Sequence, residues 1–136
     1  NEAISFALRD KRIANSDAIV ILPGDIPLIT TEEIKNFIND APKNGIRIAP
    51  DRDREGTNAL LLAPPTVIKT QFGKLSYSRH LELAEKCCSN VEVIDSDGLA
   101  FDIDSPEDLK DFCGTASSTK SYEFLKRNGI AASLLG

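Results

Sequence analysis

One candidate for chemistry is an aspartate that follows a short apolar segment. Residues 18–22 read Ala-Ile-Val-Ile-Leu, and Pro23-Gly24-Asp25 comes directly after them. A continuous apolar run of this length is typical of a strand covered on both faces in a parallel sheet, and ligands bind beyond the carboxyl ends of such strands. Asp25 would then offer the carboxylate oxygen that Mg²⁺ binds together with substrate phosphates. The alternative is a turn aspartate that bonds its own backbone.

Two further carboxylates lie in the stretch Phe-Asp-Ile-Asp-Ser-Pro at residues 101–106. Alternate residues of an extended segment point the same way, so Asp102 and Asp104 would share one side of the chain. At this position, just before a helix, the pair could hold a cation. Alternatively, one of them only supports the helix dipole.

Polar residues also precede a second apolar segment. Gly56 and Thr57 end the loop PDRDREGT at residues 50–57, where they could bring backbone N–H groups close to an anion. Mixed charges in a loop are usually only solvated, so this signal is weak alone. His80 is the only histidine, and no Ser or Cys nucleophile is placed by a motif, which argues against a catalytic triad. We interpret His80 as a surface or boundary group.

Composition excludes several classes of protein. The chain has 136 residues, of which 41% are hydrophobic, and a net charge of -5, so it fits one globular domain and is a poor nucleic-acid binder. No apolar run is long enough for a membrane span. An odd, sparse set of 3 cysteines argues against a disulfide framework and indicates a reducing compartment, so we expect a cytoplasmic location.

The pattern along the chain alternates strands and helices. This predicts a doubly wound, mostly parallel α/β sheet with helices on both faces. The predicted strands are 18–22, 46–49, 59–63 and 91–94, with 99–103 extended. The predicted helices are 2–14, a segment from Thr30 to about Asp40, one capped by Ser76, one that starts at Ser105-Pro106, and 118–127.

Four motifs in this order resemble the 2-phospho-L-lactate guanylyltransferase family of coenzyme F420 biosynthesis, in the MobA-like nucleotidyltransferase superfamily. Some members of that family use phosphoenolpyruvate. The motifs are LPGDIPL (22–28), PDRDREGTNALLL (50–62), FGKLSYSRH (72–80) and DIDSPEDL (102–109). The resemblance implies a Rossmann-like nucleotidyltransferase fold and transfer of GMP from GTP to a phosphorylated carboxylic acid, with release of pyrophosphate.

The same resemblance implies roles for individual residues. Mg²⁺ would bridge the nucleotide phosphates, and of the Asp102/Asp104 pair we favour Asp104, which directly precedes the helix start. Asp25 and Asp104 are the predicted catalytic residues. The predicted metal ligands are Asp25, Asp102 and Asp104, and the predicted residues for the acceptor phosphate and carboxylate are Thr57, Gly73 and Ser76.

The sequence departs from the family pattern in two places. Lys74-Leu75 stand where the family commonly has Pro-Gly. The resemblance also implies a first strand and a nucleotide-binding loop that are absent here, and the sequence contains no methionine. We therefore interpret residues 1–136 as a single α/β domain that forms the carboxyl-terminal portion of the nucleotidyltransferase.

Two other functions fit the sequence. One is a nucleotidyltransferase with a different acceptor, such as a molybdopterin or a sugar phosphate. The other is a non-catalytic α/β domain that binds a phosphorylated ligand. The expected partners are small molecules, GTP and the phosphorylated acid, rather than nucleic acid or membrane. The sequence leaves the identity of the acid and the oligomeric state open, with a homodimer as one alternative.

Overall fold

Short strands and helices alternate in the computed structural model, which describes residues 1–87, 90–115 and 117–136. The strands are β1 (Ile19–Ile21), β2 (Gly45–Pro50), β3 (Thr57–Ala63) and β4 (Asn90–Val93). The helices are α1 (Glu2–Ala7), α2 (Lys11–Ala14), α3 (Thr31–Ile38), α4 (Ser76–Cys87), α5 (Asp97–Ala100), α6 (Pro106–Gly114), α7 (Lys120–Arg127) and α8 (Ile130–Leu135).

The four strands form one sheet in the order β1-β3-β2-β4. Strand β3 pairs antiparallel with both β1 and β2, and only β2 and β4 run parallel. The predicted α/β class is confirmed, but in the described residues the strand directions are mixed rather than mostly parallel. The reason is the connection between β2 and β3: residues 51–56 are enough for an antiparallel hairpin, whereas a parallel pair needs a crossover of about a dozen residues or more.

Helices cover both faces of the sheet because β3 alternates its side chains between two cores. Leu61 packs with Phe37 of α3 and Leu99 of α5 on one face. Leu60 and Leu62 pack on the other face, against a cluster that includes Ala84 of α4. All residues of β3 are buried. The chain therefore needs helices on both sides of this strand.

The helix boundaries show which local signals are reliable. Capping boxes begin α3 and α6, as predicted, with Thr30 and Ser105 as the N-cap residues. Ser76 is wrong as a cap: it is the first residue of α4, and its hydroxyl donates to Thr57 instead. The expected helix 2–14 is divided into α1 and α2, α5 replaces the start of the expected extended segment 99–103, and α8 follows the last predicted helix.

A buried arginine joins the sheet to the end of α3. Arg47 on β2 is only 5% exposed. Its guanidinium donates to the carbonyl oxygens of Phe37 at 2.8 Å and Asn39 at 2.7 Å, which lie at the carboxyl end of α3, and to that of Asp40 at 3.0 Å. Its Nε donates at 2.7 Å to the carboxylate of Glu92 on β4. One side chain therefore satisfies the last carbonyl groups of a helix and links two parallel strands.

We expect Arg47→Met to lower the free energy of unfolding by about 2–4 kcal/mol, because it leaves one buried and several partly buried carbonyl groups without their donor. Urea unfolding followed by circular dichroism measures this loss. The matched control is Arg12→Met, which removes a surface pair with Asp10 from a side chain that is 90% exposed and should cost little. Equal losses in the two variants would contradict the structural role of Arg47.

Candidate active site

All the predicted site residues line one cavity of about 390 Å³. They reach it from separate parts of the chain: the turn after β1, the first residue of β3, the loop before α4 with the first residue of that helix, and the segment between α5 and α6. The structure thus brings together two sets that lie far apart in the sequence, the carboxylates Asp25, Asp102 and Asp104 and the small residues Thr57, Gly73 and Ser76.

Backbone hydrogen bonds fix the segments that carry the three aspartates. The N–H of Ile103 donates to the carbonyl oxygen of Asp25 at 3.1 Å, which joins the turn after β1 to the segment before α6. Asp108 closes the capping box of α6 and also accepts from the N–H of Asp104 at 3.2 Å. Arg52 pairs with Asp108 and lies 4.4 Å over the ring of Phe101. Arg52 is therefore paired at the start of α6, and it is not one of the residues that line the cavity.

The carboxyl of Asp102 is in an unfavourable environment for its charged form. Burial raises its pKa, the neighbouring carboxylates of Asp104 and Asp51 raise it further, and an interaction with the Asn58 amide acts in the opposite direction. A cation bound nearby would reverse this balance, since a positive charge favours the ionised carboxylate.

The donor set suits a hard divalent cation, although it is not a complete metal site. Among the described residues, no group of three or more His, Cys, Asp or Glu side chains is arranged to hold a metal ion. Mg²⁺ does not require such a group, because it is usually bound through one or two carboxylates, several waters and substrate phosphates. The exposed carboxylates of Asp25 and Asp104 and the half-buried one of Asp102 are of this kind.

The turn between β2 and β3 sets the position of the first residue of β3. The Asp51 carboxylate accepts the N–H groups of Glu55 at 2.9 Å and Gly56 at 2.7 Å. A Cβ atom on residue 56 would lie 2.5 Å from this carboxylate and would displace it, so glycine preserves the hydrogen bonds of the turn. The turn delivers Thr57 to the cavity as a buried residue.

Two hydroxyl groups of the cavity lining and a buried imidazole lie together where β3 and α4 begin. Thr57 Oγ1 accepts from Ser76 Oγ at 3.1 Å and lies 3.0 Å from His80 Nδ1. His80 is 0% exposed, so its interpretation as a surface or boundary group is wrong. The reason is that α4 presents it to the start of β3, where both ring nitrogens find partners. Burial lowers the pKa of His80 to about 4, so its ring is neutral near pH 7.

The loop before α4 depends on two residues with positive φ angles. Gly73 has φ of 116°, and Leu75 has φ of 58°. Leucine is strained in this left-handed region, which glycine adopts freely. Leucine therefore stands at position 75 where the family commonly has glycine, while the backbone there keeps the left-handed φ angle that favours glycine.

Several cavity residues, Asp51 and Asn58 among them, were not assigned a role from the sequence. Asn58 is 4% exposed, and within the described residues its amide nitrogen has no hydrogen bond of normal geometry. One signal could have identified it, because Thr57 and Asn58 are polar residues at the start of a strand that is otherwise wholly apolar. Buried polar groups normally have partners, and the amide of Asn58 acts on the carboxyl of Asp102, whose pKa it lowers, so it supports that carboxylate at the cavity.

Comparison with known proteins identifies the family. The family model described as "Guanylyl transferase CofC like" matches residues 1–134. The chain belongs to the CofC-like guanylyl transferase family. No helix in the described part of this family member is long and apolar enough to cross a membrane.

Individual relatives agree with this assignment. The chain is 37% identical over 116 residues to a phosphoenolpyruvate guanylyltransferase of Sphaerobacter thermophilus, an alignment that covers 85% of this chain and 56% of that protein. It is 34% identical over 134 residues to a 2-phospho-L-lactate guanylyltransferase of Methanoculleus marisnigri, covering 98% of this chain and 59% of the relative. The CofC-like chain therefore spans little more than half the length of these curated relatives.

A solved structure supports the fold. A putative nucleotide-diphospho-sugar transferase from Desulfovibrio desulfuricans G20 superposes with a TM-score of 0.68 at 19% identity, and covers 98% of this chain and 59% of that one. At this identity the likeness concerns the fold alone. It agrees with a nucleotidyltransferase-like arrangement for the CofC-like chain.

The loop geometry predicts opposite effects for two substitutions. Leu75→Gly should stabilise the protein by up to about 1 kcal/mol, because it removes the left-handed strain at a side chain that is 43% exposed. Gly73→Ala should destabilise it by about 1–3 kcal/mol, and only through the backbone, since no atom lies within 4 Å of the added Cβ. Thermal unfolding of both variants tests this. A loss of stability in Leu75→Gly similar to that in Gly73→Ala would show that the angle at position 75 is not strained.

Proposed function

We propose that the intact protein transfers GMP from GTP to 2-phospho-L-lactate or phosphoenolpyruvate, with release of pyrophosphate, in coenzyme F420 biosynthesis. Family membership and the names of the relatives support this reading. The observation that carries it is one cavity whose lining contains both acidic side chains and small hydroxyl and glycine residues. Such a cavity can place two phosphorylated substrates next to each other, one at each set of residues.

The chemistry needs little from the protein beyond position and charge. An oxygen of the acceptor phosphate attacks the α-phosphorus of GTP, and the bond from that phosphorus to the bridging oxygen of pyrophosphate breaks. The acceptor is already an anion, so no general base is required. Rate acceleration then comes from holding the two reactants in line and from stabilising the charge that develops on the phosphate oxygens.

We call Asp25, Asp102 and Asp104 the carboxylate wall of the cavity and assign it to the nucleotide and its metal. Asp25 and Asp104, with Asp102, would hold Mg²⁺, which when bound supplies charge neutralisation to the phosphate oxygens. Asp104 is the better placed of the pair, because its side chain is exposed at the cavity, whereas Asp102 is half-buried beside Asn58. The cap of α6 and the bond from Ile103 to Asp25 keep these carboxylates in place.

We call Thr57, Gly73 and Ser76 the acceptor wall and assign it to the phosphorylated acid. Thr57, Gly73 and Ser76 offer hydroxyl and N–H groups suited to phosphate and carboxylate oxygens. Lys74 lines the same wall and can add a positive charge. The donors lie at the amino-terminal end of α4, where the helix dipole also favours an anion.

The principal experiment measures pyrophosphate release by the intact protein with GTP, Mg²⁺ and either acid. Asp25→Ala and Asp104→Ala should each lower kcat by about 100-fold or more while the circular dichroism spectrum is unchanged, because charge stabilisation is lost in the transition state. The matched control is Asp53→Ala, an exposed acid of the 51–56 turn outside the cavity lining, which should keep normal turnover. Normal turnover in both test variants would refute the assignment of the carboxylate wall.

Asp102 allows a test that does not depend on turnover. A carboxyl whose pKa is raised by folding lowers stability once it ionises, so its favourable contribution is present at low pH and is lost as pH rises through the folded pKa. Without divalent cations at neutral pH, Asp102→Asn should therefore be more stable than the wild type, and the difference should fade on acidification. Added MgCl₂ should raise the Tm of the wild type more than that of the variant.

Thermal unfolding at several pH values, with and without MgCl₂, measures the stability difference between the variant and the wild type and the increase in Tm that the cation causes in each. A variant that is less stable than the wild type at neutral pH without the cation would contradict the unfavourable environment of the carboxylate. Equal effects of MgCl₂ on both proteins would contradict a role for Asp102 at the metal.

A further inference from the structure

His80 is a buried histidine that the proposed chemistry does not use. Its ring is fully enclosed between α4 and the start of β3. The backbone N–H of Gln71 donates to Nε2 at 2.8 Å, Thr57 Oγ1 lies 3.0 Å from Nδ1, and the ring of Phe72 meets the imidazole edge-on at 5.0 Å between centroids. Both ring nitrogens are therefore engaged, one by Thr57 of the acceptor wall and the other by the backbone at the start of the loop before α4.

The partners determine which nitrogen carries the proton. A neutral imidazole has one N–H and one acceptor nitrogen. A backbone N–H can only donate, so Nε2 must be the acceptor for Gln71 and the proton must be on Nδ1. Nδ1–H then donates to Thr57 Oγ1, which also accepts from Ser76 Oγ.

When the donors and acceptors of His80, Thr57 and Ser76 are paired in this way, one hydroxyl proton is left to point into the cavity. Thr57 Oγ1 has two lone pairs, and His80 and Ser76 use both. The hydrogen bonds of Thr57 to described residues leave its own O–H unused. If the two hydroxyl groups exchanged roles, the O–H of Ser76 would be the free donor instead. In either arrangement, the imidazole proton ensures that the pair presents one O–H donor to the space where the acceptor would lie.

We propose that His80 is a positioning residue for the acceptor. It orients the hydroxyl pair of Thr57 and Ser76 so that this pair donates a hydrogen bond to an oxygen of the phosphorylated acid. This inference rests on the proposed function for the choice of ligand. The bond from Gln71 also anchors the start of the loop that contains Gly73, so a single ring holds both parts of the acceptor wall. No hydrogen bond in the described residues joins His80 to the carboxylate wall, so its effect should fall on the acid and not on GTP.

Two amide substitutions separate the two hydrogen bonds of the ring. In His80→Asn the amide nitrogen can take the place of Nδ1 and keep the donor for Thr57, while the acceptor for Gln71 is lost. In His80→Gln the amide oxygen can take the place of Nε2 and keep the acceptor for Gln71, while the donor for Thr57 is lost. Glu82→Gln, at an exposed position of the same helix, is the matched control.

In steady-state kinetics, the substitutions should change the KM for the acid much more than the KM for GTP. We expect His80→Gln to raise the KM for the acid by about tenfold or more, the effect of losing a hydrogen bond to a charged group, with the KM for GTP changed less than about twofold. His80→Asn should lie closer to the wild type. Equal effects on both substrates, or an unchanged KM for the acid in a folded and active His80→Gln, would overturn the proposal.

Two measurements keep this inference distinct from the proposed function. Calorimetric titration with phosphoenolpyruvate and with 2-phospho-L-lactate measures binding without turnover, and the loss of affinity should follow the same order of variants. Binding without pyrophosphate release in the wild type would contradict the proposed function alone, while failure to bind either acid would contradict both. Nitrogen-15 NMR of labelled histidine, assigned by the loss of its signal in His80→Gln, should show a proton on Nδ1, and a proton on Nε2 would overturn the proposal.

Discussion

The position of the cavity follows from the complete burial of β3. This strand lies between β1 and β2, and its leucines alternate between the core under α3 and α5 and the core under α4. A shift by one residue would turn every one of these side chains to the opposite core, so the register is strongly specified. Thr57 and Asn58 stand at the start of the same strand. Their place at the cavity is therefore fixed by the packing of apolar residues further along the chain.

Local signals in the sequence were enough to predict much of this arrangement. The capping boxes at Thr30 and Ser105 and the apolar runs of β1, β2 and β3 depend on residues that are close in sequence, and the structure has them near the expected positions. Strand direction depends instead on pairing between distant segments. The insertion of β3 between β1 and β2 is a tertiary feature that no apolar run indicates, although the short 51–56 connection already favoured an antiparallel hairpin.

The site was predicted in a similarly uneven way. Resemblance to a family supplied residues that the structure gathers around one cavity, although their roles remain predictions. The supporting residues were harder to find because their function lies in geometry. His80 reads as an ordinary polar residue on a helix until the structure places it beside Thr57, and Asp51 reads as a solvated loop acid until its carboxylate is found to close the turn before β3. A lone polar residue gives no sequence signal for a partner that is distant along the chain.

The distribution of charge around the cavity explains why its two walls differ. The acidic side chains at the cavity are Asp25, Asp51, Glu55, Asp102 and Asp104, and Lys74 is the only basic one among the described residues. Asp51 is compensated by the N–H groups of its own turn, whereas burial and its acidic neighbours already raise the pKa of Asp102. A nucleotide and a phosphorylated acid are both anions and would add to this repulsion. Neutral donors alone could hold one anion at the acceptor wall, whereas the two anions of the proposed transfer, placed beside these carboxylates, would need a cation to offset their repulsion.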